Sequence, residues 1–587
     1  MAERKKQTLL TGAGALAIAT VLVKIIGALY KIPLTNLITV EGYAYFQGAY
    51  AVYTPLYAIS MAGLPVAVSK LVSQNIELGR IKDAKRIFSV ARKLFFLVGL
   101  AGSVILAAIA IPYSKLVHSP ENYISILAIA PCIMFCCQMS SFRGYYEGLR
   151  NMTPTGVSQV IEAVIKLVFG LAGTYFFFNR WVANYHKNAV DGVATVFGVE
   201  VKNESEALAA MYPYAAAVAI LGVTLGSLFG LLYLFIHYKR HGFGFTRAEL
   251  VNSPPAQSDK SLRNQIIKIA APVALSSIIL NISNIIDDTT IRTRLAYAME
   301  HGSDIIKQMY ASTFEATQTL DSGIADYLYG AHASVLNLKN LIPTITLTLG
   351  ISAIPALSSA WTAKNKKEIR VSIESVVRVT MMIALPAGLG FAALSSPILD
   401  LLYHSQRDMI PIAAPMLTVY GFGIFLFAVA SPITNMLQAV GRTDIPLKSV
   451  AIGSALKIFL NFILIGRPEI NIHGAPYSTT ICYIVMVAIN LTSLIRITKV
   501  KINFVSVFVK PLVAAAACGI TAWSVNFILA QKLALSGRLS AIAAIAMGGC
   551  VYAVILLLVK GIAKDDLEMI PKGEKIAKVL AKFGLLG

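Results

Sequence analysis

The sequence has few charged side chains. Asp, Glu, Lys and Arg together make up 14% of 587 residues, whereas a soluble protein carries about 25%. Hydrophobic residues make up 56%, and the mean hydropathy is +0.68. So few charges cannot cover a water-soluble surface of this size, and so many apolar residues exclude a disordered chain. The composition predicts a polytopic membrane protein.

Cysteine and cofactor motifs are scarce as well. Six Cys in a chain of this length exclude a disulfide scaffold, and neither Cys nor His has the spacing of a metal site. The sequence has no GxxxxGK[ST] phosphate-binding loop and no arrangement of a nucleophile with a base. We therefore predict no metal, no cofactor and no catalytic residue. The protein is not expected to be an enzyme, and any transport should be driven by a gradient or a potential.

Long apolar runs dominate what is present. A helix needs about 20 apolar residues to cross a bilayer, and the runs are too long for the strands of a β-barrel and do not alternate as such strands do. The chain is therefore predicted to be all-α, with about fourteen transmembrane helices. They lie near residues 8–35, 43–73, 88–112, 122–146, 155–178, 212–236, 265–296, 330–360, 371–394, 409–440, 446–466, 474–495, 504–530 and 538–560.

The formal net charge is +21, from 51 Lys and Arg against 30 Asp and Glu. Nucleic acid is not an expected partner, because the basic residues concentrate in alternate loops between the apolar runs, as cytoplasmic loops do. Basic loops such as Arg80–Lys93, Lys239–Arg263 and Lys364–Arg370 fall on the same side as the N-terminus. Both termini are therefore predicted to be cytoplasmic.

The two halves of the chain resemble each other. Gly48-Ala49-Tyr50-Ala51 matches Gly330-Ala331-His332-Ala333, and the segment Glu147–Asn151 matches Gln438–Arg442, at an offset of about 280 to 292 residues. An even number of spans separates the copies, so they share one topology and form a parallel repeat. We predict two parallel six-helix bundles around a central cavity, followed by two further helices.

This repeat sets the predicted domain boundaries. The basic loop with Ser253-Pro254-Pro255 is the natural linker between the halves. Two polar outer loops, 179–211 and 298–329, have no motif that assigns them a role. The predicted parts are an N-terminal lobe 1–236, a cytoplasmic linker 237–263, a C-terminal lobe 264–495, helices 13 and 14 in 496–560 and a cytoplasmic tail 561–587.

Several predicted spans contain ionisable residues, which are costly in a bilayer and usually face a cavity or a partner. Lys24 and Lys31 share one face of the first span, although Lys31 could instead extend to the outer interface. In the fifth span Glu162 and Lys166 are four residues apart and able to pair, either as part of a cavity or as a structural ion pair. Lys457 lies near the repeat equivalent of Lys166.

The seventh span has the longest polar stripe, with Asp287, Asp288, Arg292 and Arg294. We predict that it lines the cavity; the alternative is a set of structural ion pairs that join helices. Across these spans the cations outnumber the anions, which suits an anionic substrate. A pyrophosphate group would pair with Lys and Arg and offset the cost of burying them.

One segment is specific enough to carry a family resemblance. Arg143-Gly144-Tyr145-Tyr146-Glu147-Gly148-Leu149-Arg150-Asn151-Met152-Thr153-Pro154-Thr155, followed by Ser158–Glu162, resembles the polysaccharide-biosynthesis branch of the multidrug/oligosaccharidyl-lipid/polysaccharide (MOP) exporter superfamily. Ala62–Lys70 and Lys24–Gly27 are similar to the group that contains stage V sporulation protein B and the Gram-positive lipid II flippases.

The resemblance implies a flippase of the bacterial cytoplasmic membrane that moves an undecaprenyl-pyrophosphate-linked saccharide by alternating access, with lipid II as the expected substrate. Its implied partners are that lipid-linked oligosaccharide, membrane lipid and the cell-wall synthesis machinery. It also implies that Lys24 contacts the substrate in the cavity. At a second basic position of the group this sequence has Tyr30, with the charge displaced to Lys31, and Glu41 corresponds to an acidic residue after the first span.

Three other functions stay open from the sequence. The substrate could be another polysaccharide repeat unit, because the same cavity would fit it. A cation-coupled multidrug antiporter of the superfamily would need an acidic binding lobe. A membrane enzyme that polymerises lipid-linked sugars would need an essential acid or base, for which the acidic loop 298–329 is the candidate.

Overall fold

Apolar sequence runs become helices through almost the whole chain. The computed structural model describes residues 9–189, 193–532, 536–568, 580–582 and 586. Helices satisfy their own backbone hydrogen bonds, which is what an apolar environment requires. Among the described residues, strands occur in a single hairpin.

The described chain forms two compact units. The first contains the described residues up to Ala296 together with Gln318–Gly330, and the second contains Tyr297–Thr317 and the described residues from Ala331 onward. The predicted lobe boundaries around the linker 237–263 stay a prediction.

The elements of the first part of the chain are as follows. They are α1 Leu9–Ala58, a π-helical turn Ile59–Gly63, α2 Leu64–Glu77, α3 Ile81–Leu116, α4 Asn122–Gly148, α5 Thr153–Asn188, β1 Ala194–Val196, β2 Val199–Val201, α6 Glu204–His241, α7 Arg247–Val251, α8 Asp259–Met309, α9 Ala311–Thr317, a 3-10 turn Asp321–Gly323 and α10 Ile324–Thr362.

The later elements continue the helical pattern. They are α11 Lys366–Ala393, α12 Ser395–Leu402, a 3-10 turn His404–Met409, α13 Ile410–Ala439, α14 Asp444–Leu464, a 3-10 turn Asn471–His473, α15 Gly474–Thr498, a π-helical turn Val505–Val509, α16 Lys510–Phe527, a π-helical turn Ile528–Lys532, α17 Gly537–Leu558 and α18 Lys564–Glu568.

Within the described chain, eleven helical segments are long and apolar enough to cross a membrane. The prediction of an all-α polytopic protein is confirmed, whereas the number fourteen is not. One segment, Leu22–Glu77, contains the second half of the first predicted span and all of the second. Its helical path breaks at Thr39 (φ 65°), where the sequence predicts a loop. Helices α8 and α10, at the seventh and eighth predicted spans, are not among the eleven.

The loop 179–211, predicted to lie on the outer side, folds into a small structured element. Helix α5 extends to Asn188, and β1 pairs antiparallel with β2, with Thr195 opposite Glu200. The ring of Phe197 in the turn lies 3.9 Å from the ring centre of Tyr214 and 4.3 Å from that of Trp181. These aromatic contacts fix the hairpin to the ends of α5 and α6.

Helices α5 and α6 pack closely because glycines meet at their crossing. A Cβ atom on Gly222 would lie 2.5 Å from the Cα of Gly170, and one on Gly226 would lie 2.6 Å from the carbonyl oxygen of Glu162. Small residues let membrane helices approach in this way. The crossing therefore fixes the position of α5, the helix that carries Glu162 and Lys166.

We expect Gly222→Ala to destabilise the protein by about 1–3 kcal/mol, because the added methyl group overpacks the crossing of α5 and α6. The measurement is the thermal unfolding midpoint of the purified chain in detergent. Gly549→Ala is the matched control, because Gly549 of α17 has open space where the methyl group would stand and Ala favours a helix over Gly. Equal effects of the two substitutions would contradict the close crossing.

Candidate functional site

A cavity of about 420 Å³ lies in the first unit, between α1, α4, α5 and α6. Three cationic side chains and one carboxylate line it, together with an amide and several tyrosines. The polar and aromatic members that matter below are Lys24, Tyr50, Tyr53, Tyr57, Arg143, Gln159, Glu162 and Lys166.

Glu162 forms its ion pair with Arg143 of α4. The Arg143 Nη2 atom lies 3.1 Å from Glu162 Oε2, and Arg143 Nε donates to Ser158 Oγ at 3.0 Å. The side chain of Arg143 is 3% exposed and that of Glu162 is 20% exposed. The pair thus compensates a buried guanidinium. The other carboxylate oxygen, Glu162 Oε1, accepts from Ser227 Oγ at 3.4 Å.

Lys166 does not pair with Glu162, although the two are four residues apart on α5. Its ammonium donates instead to the Tyr50 hydroxyl at 2.9 Å. It also lies 4.9 Å from the ring centre of Tyr30 and 5.2 Å from that of Tyr50. Aromatic faces attract a cation, and this attraction is stronger where water is excluded.

Lys24 lines the cavity, is half-buried, and makes no hydrogen bond or ion pair with any described residue. Lys31, seven residues later on α1, is also half-buried, and its ammonium lies 5.8 Å from the ring centre of Tyr50. Lys31 and Lys166 therefore both lie beside Tyr50, whereas Lys24 lines the cavity itself.

Asp288 and Arg292 lie in a separate buried network. Arg292 Nη1 donates to Asp326 Oδ1 at 2.9 Å, and its Nε lies 3.6 Å from Asp288 Oδ2. Asp288 also accepts from the hydroxyls of Tyr113, at 2.7 Å, and Tyr329. All five side chains belong to the first unit.

This network is closed, because Arg292 and Asp288 are 4% and 6% exposed. The arrangement matches the alternative in which the polar stripe of α8 forms structural ion pairs. A substrate contact by either residue stays a prediction. The same holds for Asp287 on α8 and for Lys457, half-buried on α14 of the second unit; neither is among the described residues that line the cavity.

The sequence reasoning missed Arg143, Gln159 and Tyr57. Arg143 falls inside the fourth predicted span, so the rule that marked Lys24 could have marked it too. Gln159 and Tyr57 carry no charge, and nothing in their spacing separates them from polar residues that face other helices.

The described residues contain no group of three or more His, Cys, Asp or Glu side chains that could hold a metal ion. The polar side chains of the cavity are those of Lys, Arg, Glu, Gln, Thr and Tyr. Such a lining binds by hydrogen bonds and charge, and it offers an anion several donors.

Solved structures define the class of protein to which this fold belongs. A structure described as lipid II flippase MurJ in an inward closed conformation aligns with a TM-score of 0.62 and 15% identity, over 92% of this chain and 97% of that one. An inward-facing multidrug resistance MATE family transporter of the MOP superfamily aligns with a TM-score of 0.60 and 12% identity, over 84% and 99%. At these identities the two likenesses show the fold alone, a multi-pass helical fold that the chain shares with both solved proteins.

Sequence comparison gives the family. The model of the lipid II flippase MurJ family matches residues 173–539, and that of a polysaccharide biosynthesis protein family matches residues 9–185. The chain belongs to the lipid II flippase MurJ family. It is 24% identical to the lipid II flippase MurJ of Bacillus subtilis, over 93% of this chain and 94% of that protein, and 23% identical to stage V sporulation protein B of the same organism, over 96% and 98%.

We expect Glu162→Leu to lower the free energy of unfolding by about 3–5 kcal/mol, because it leaves the buried Arg143 guanidinium without a carboxylate. The measurement is thermal or denaturant unfolding of the purified protein in detergent.

Glu77→Leu is the matched control for this substitution. Glu77 pairs with Arg150 at 2.8 Å, but their side chains are 65% and 52% exposed, so the loss should stay below about 1 kcal/mol. Similar losses for the two variants would show that the Arg143–Glu162 pair does not stabilise the first unit.

Proposed function

We propose that this protein is a flippase that carries an undecaprenyl-pyrophosphate-linked saccharide, specifically lipid II, across the bacterial cytoplasmic membrane. Membership of the MurJ family supports this proposal. The alignment with the lipid II flippase MurJ of Bacillus subtilis along nearly the whole chain supports it as well. The proposed action moves a lipid without making or breaking a covalent bond, so the protein is not an enzyme.

The observation that carries the proposal is the charge of the cavity. Arg143 is neutralised by Glu162, which leaves the ammonium groups of Lys24 and Lys166 without a carboxylate partner among the described residues. Holding cations away from water is costly unless an anion compensates them. A pyrophosphate supplies two adjacent phosphates, and a lipid-linked one arrives from the membrane that surrounds the helices.

We assign roles to the cavity residues on this basis. Lys24 and Lys166 bind the pyrophosphate, and Glu162 holds Arg143 in place. Lys31 adds positive charge beside Tyr50. Substrate contacts by Asp287, Asp288, Arg292 and Lys457 remain part of the hypothesis, with Lys457 near the repeat position of Lys166.

The proposal includes alternating access, in which the cavity opens to one leaflet and then to the other. The predicted orientation places both termini in the cytoplasm, and the cell-wall synthesis machinery is the proposed partner. A ligand drives such a change only through unequal affinity for the two states. Lys24 and Lys166 supply that difference if they bind the pyrophosphate more tightly in one of the two states than in the other.

A cation-coupled multidrug antiporter is the competing proposal from the same superfamily. Its support is the similarity to a MATE transporter, which at 12% identity concerns the fold alone. A cationic drug would meet two uncompensated ammonium groups in this cavity. The charge of the lining therefore favours an anionic substrate.

Expression of this chain in a bacterium depleted of its resident lipid II flippase should restore growth. The direct measurement is the fraction of lipid II cleaved by an externally added lipid II-degrading enzyme, which reaches only the outer leaflet. Normal membrane expression without restored cleavage would exclude lipid II as the substrate. A panel of cells lacking flippases for other undecaprenyl-linked glycans would then identify an alternative repeat unit.

In that assay Lys24→Ala should lower the rate of lipid II exposure about tenfold or more, because a charge-assisted contact with phosphate contributes about 1.5–3 kcal/mol. Lys115→Ala is the matched control, since Lys115 is an exposed lysine at the end of α3. Equal rates for wild type and Lys24→Ala at equal expression would remove Lys24 from the site.

A further inference from the structure

Two polar groups in the cavity, in addition to Lys24, lack a partner. The Tyr57 hydroxyl and the Gln159 side-chain amide both line the cavity, and neither makes a hydrogen bond to any described residue. Both residues are half-buried. Because their polar atoms face the cavity, this part of the lining offers a ligand both donors and acceptors of hydrogen bonds.

An aromatic stripe runs along α1 to this point. Tyr50, Tyr53 and Tyr57 repeat at intervals of three and four residues, which places them on one helix face. Their ring centres are 5.8 Å and 5.2 Å apart in succession. The Tyr50 hydroxyl accepts from Lys166, and the Tyr53 hydroxyl lies 3.2 Å from Cys132 Sγ. Tyr57 is thus the member of the stripe whose hydroxyl is available to a ligand.

On α5, which forms another wall of the cavity, the polar residues have the same spacing as the tyrosines of α1. Gln159, Glu162 and Lys166 follow at intervals of three and four residues and so face the same side. At 1.5 Å per residue, Gln159 and Lys166 lie about 10 Å apart along the helix axis. The cavity therefore has a cationic level at Lys166 and Tyr50. Gln159 on α5 and Tyr57 on α1 each lie seven residues from that level, and beside Gln159 the charges of Arg143 and Glu162 compensate each other.

The two levels suit chemically different parts of one ligand. Gln159 offers both a donor and an acceptor, as does the Tyr57 hydroxyl, and the partly exposed Glu162 carboxylate has further lone pairs that can accept. A pyranose ring has hydroxyl groups around its rim and C–H groups on its faces, and a tyrosine ring can cover such an apolar face. Phosphate has only oxygen atoms to offer and gains nothing from the amide oxygen or the carboxylate.

We propose that Tyr57 and Gln159 form a saccharide subsite that binds the sugar attached to the pyrophosphate, while Lys24 and Lys166 bind the pyrophosphate itself. This inference rests on the proposed function, because it assumes a pyrophosphate-linked saccharide as the ligand. It assigns recognition of the sugar to the level of Gln159 and Tyr57, so that a bare polyprenyl pyrophosphate is bound less tightly than its glycosylated form.

The experiment compares two synthetic lipids with the full-length protein in lipid nanodiscs. One is a short-chain polyprenyl pyrophosphate, and the other is the same lipid with an N-acetylhexosamine on its terminal phosphate. Dissociation constants are measured by titration. For the wild type the sugar should improve affinity about tenfold, the result of a few hydrogen bonds and one covered sugar face.

Variants separate the two subsites. Gln159→Leu and Tyr57→Leu should reduce the ratio of the two dissociation constants from about ten towards one. Tyr57→Phe, which keeps the ring, should give an intermediate ratio. Lys24→Ala should weaken both lipids and leave the ratio near ten. Gln438→Leu, the same change at an exposed position of α13, is the control and should leave both constants as in the wild type.

Each outcome decides a different claim. A wild type that binds the two lipids equally overturns the saccharide subsite and leaves the flippase proposal standing. A ratio that stays near ten in Gln159→Leu and Tyr57→Leu, with unfolding midpoints like that of the wild type, also overturns the subsite. Binding of neither lipid overturns the proposed function and the subsite together.

Discussion

The structure depends on how it compensates ionised side chains in apolar surroundings. Three buried guanidinium groups each contact at least one carboxylate. Arg143 pairs with Glu162, and Arg292 pairs with Asp288 and Asp326. Arg378 forms a bidentate pair with Asp566, at 2.7 and 2.9 Å. Mutual attraction offsets part of what these charges lose on leaving water, and removing one partner of a buried pair is strongly destabilising. Lys24 has no such partner among the described residues, and this difference is the reason that we propose it as a binding group.

Close helix packing makes that compensation possible. The glycines at the crossing of α5 and α6 bring the two backbones together and fix the side of α5 that faces the cavity. From that position Glu162 meets Arg143 of α4, and Lys166 meets Tyr50 of α1. The polarity of the cavity thus follows from apolar packing behind it, because a small rotation of α5 would break both contacts.

Fold and function rest on different observations in this protein. The similarity to solved transporters at 12 and 15% identity concerns the backbone, and folds of this kind host several activities. What separates an anion carrier from a cation carrier is the lining of the cavity. Here the lining has more positive than negative side chains, and its neutral groups are both donors and acceptors, which fits a substrate with a charged part and a sugar part.

The sequence by itself determined the class of protein, since the scarcity of charge and the long apolar runs leave a helical membrane protein as the solution, and the segment from Arg143 to Glu162 carried the family. It also marked Lys24, Glu162 and Lys166, because charges within apolar runs are rare.

Only the tertiary structure decided which charged side chains pair with one another. The spacing on α5 allowed Glu162 to pair with Lys166, whereas the structure pairs it with Arg143. Arg292 meets Asp326 across 34 residues, and Arg378 meets Asp566 across 188. Helical periodicity tells which residues share a face, but the choice of ionic partner depends on which neighbouring helix that face meets, and this is fixed by packing between distant segments.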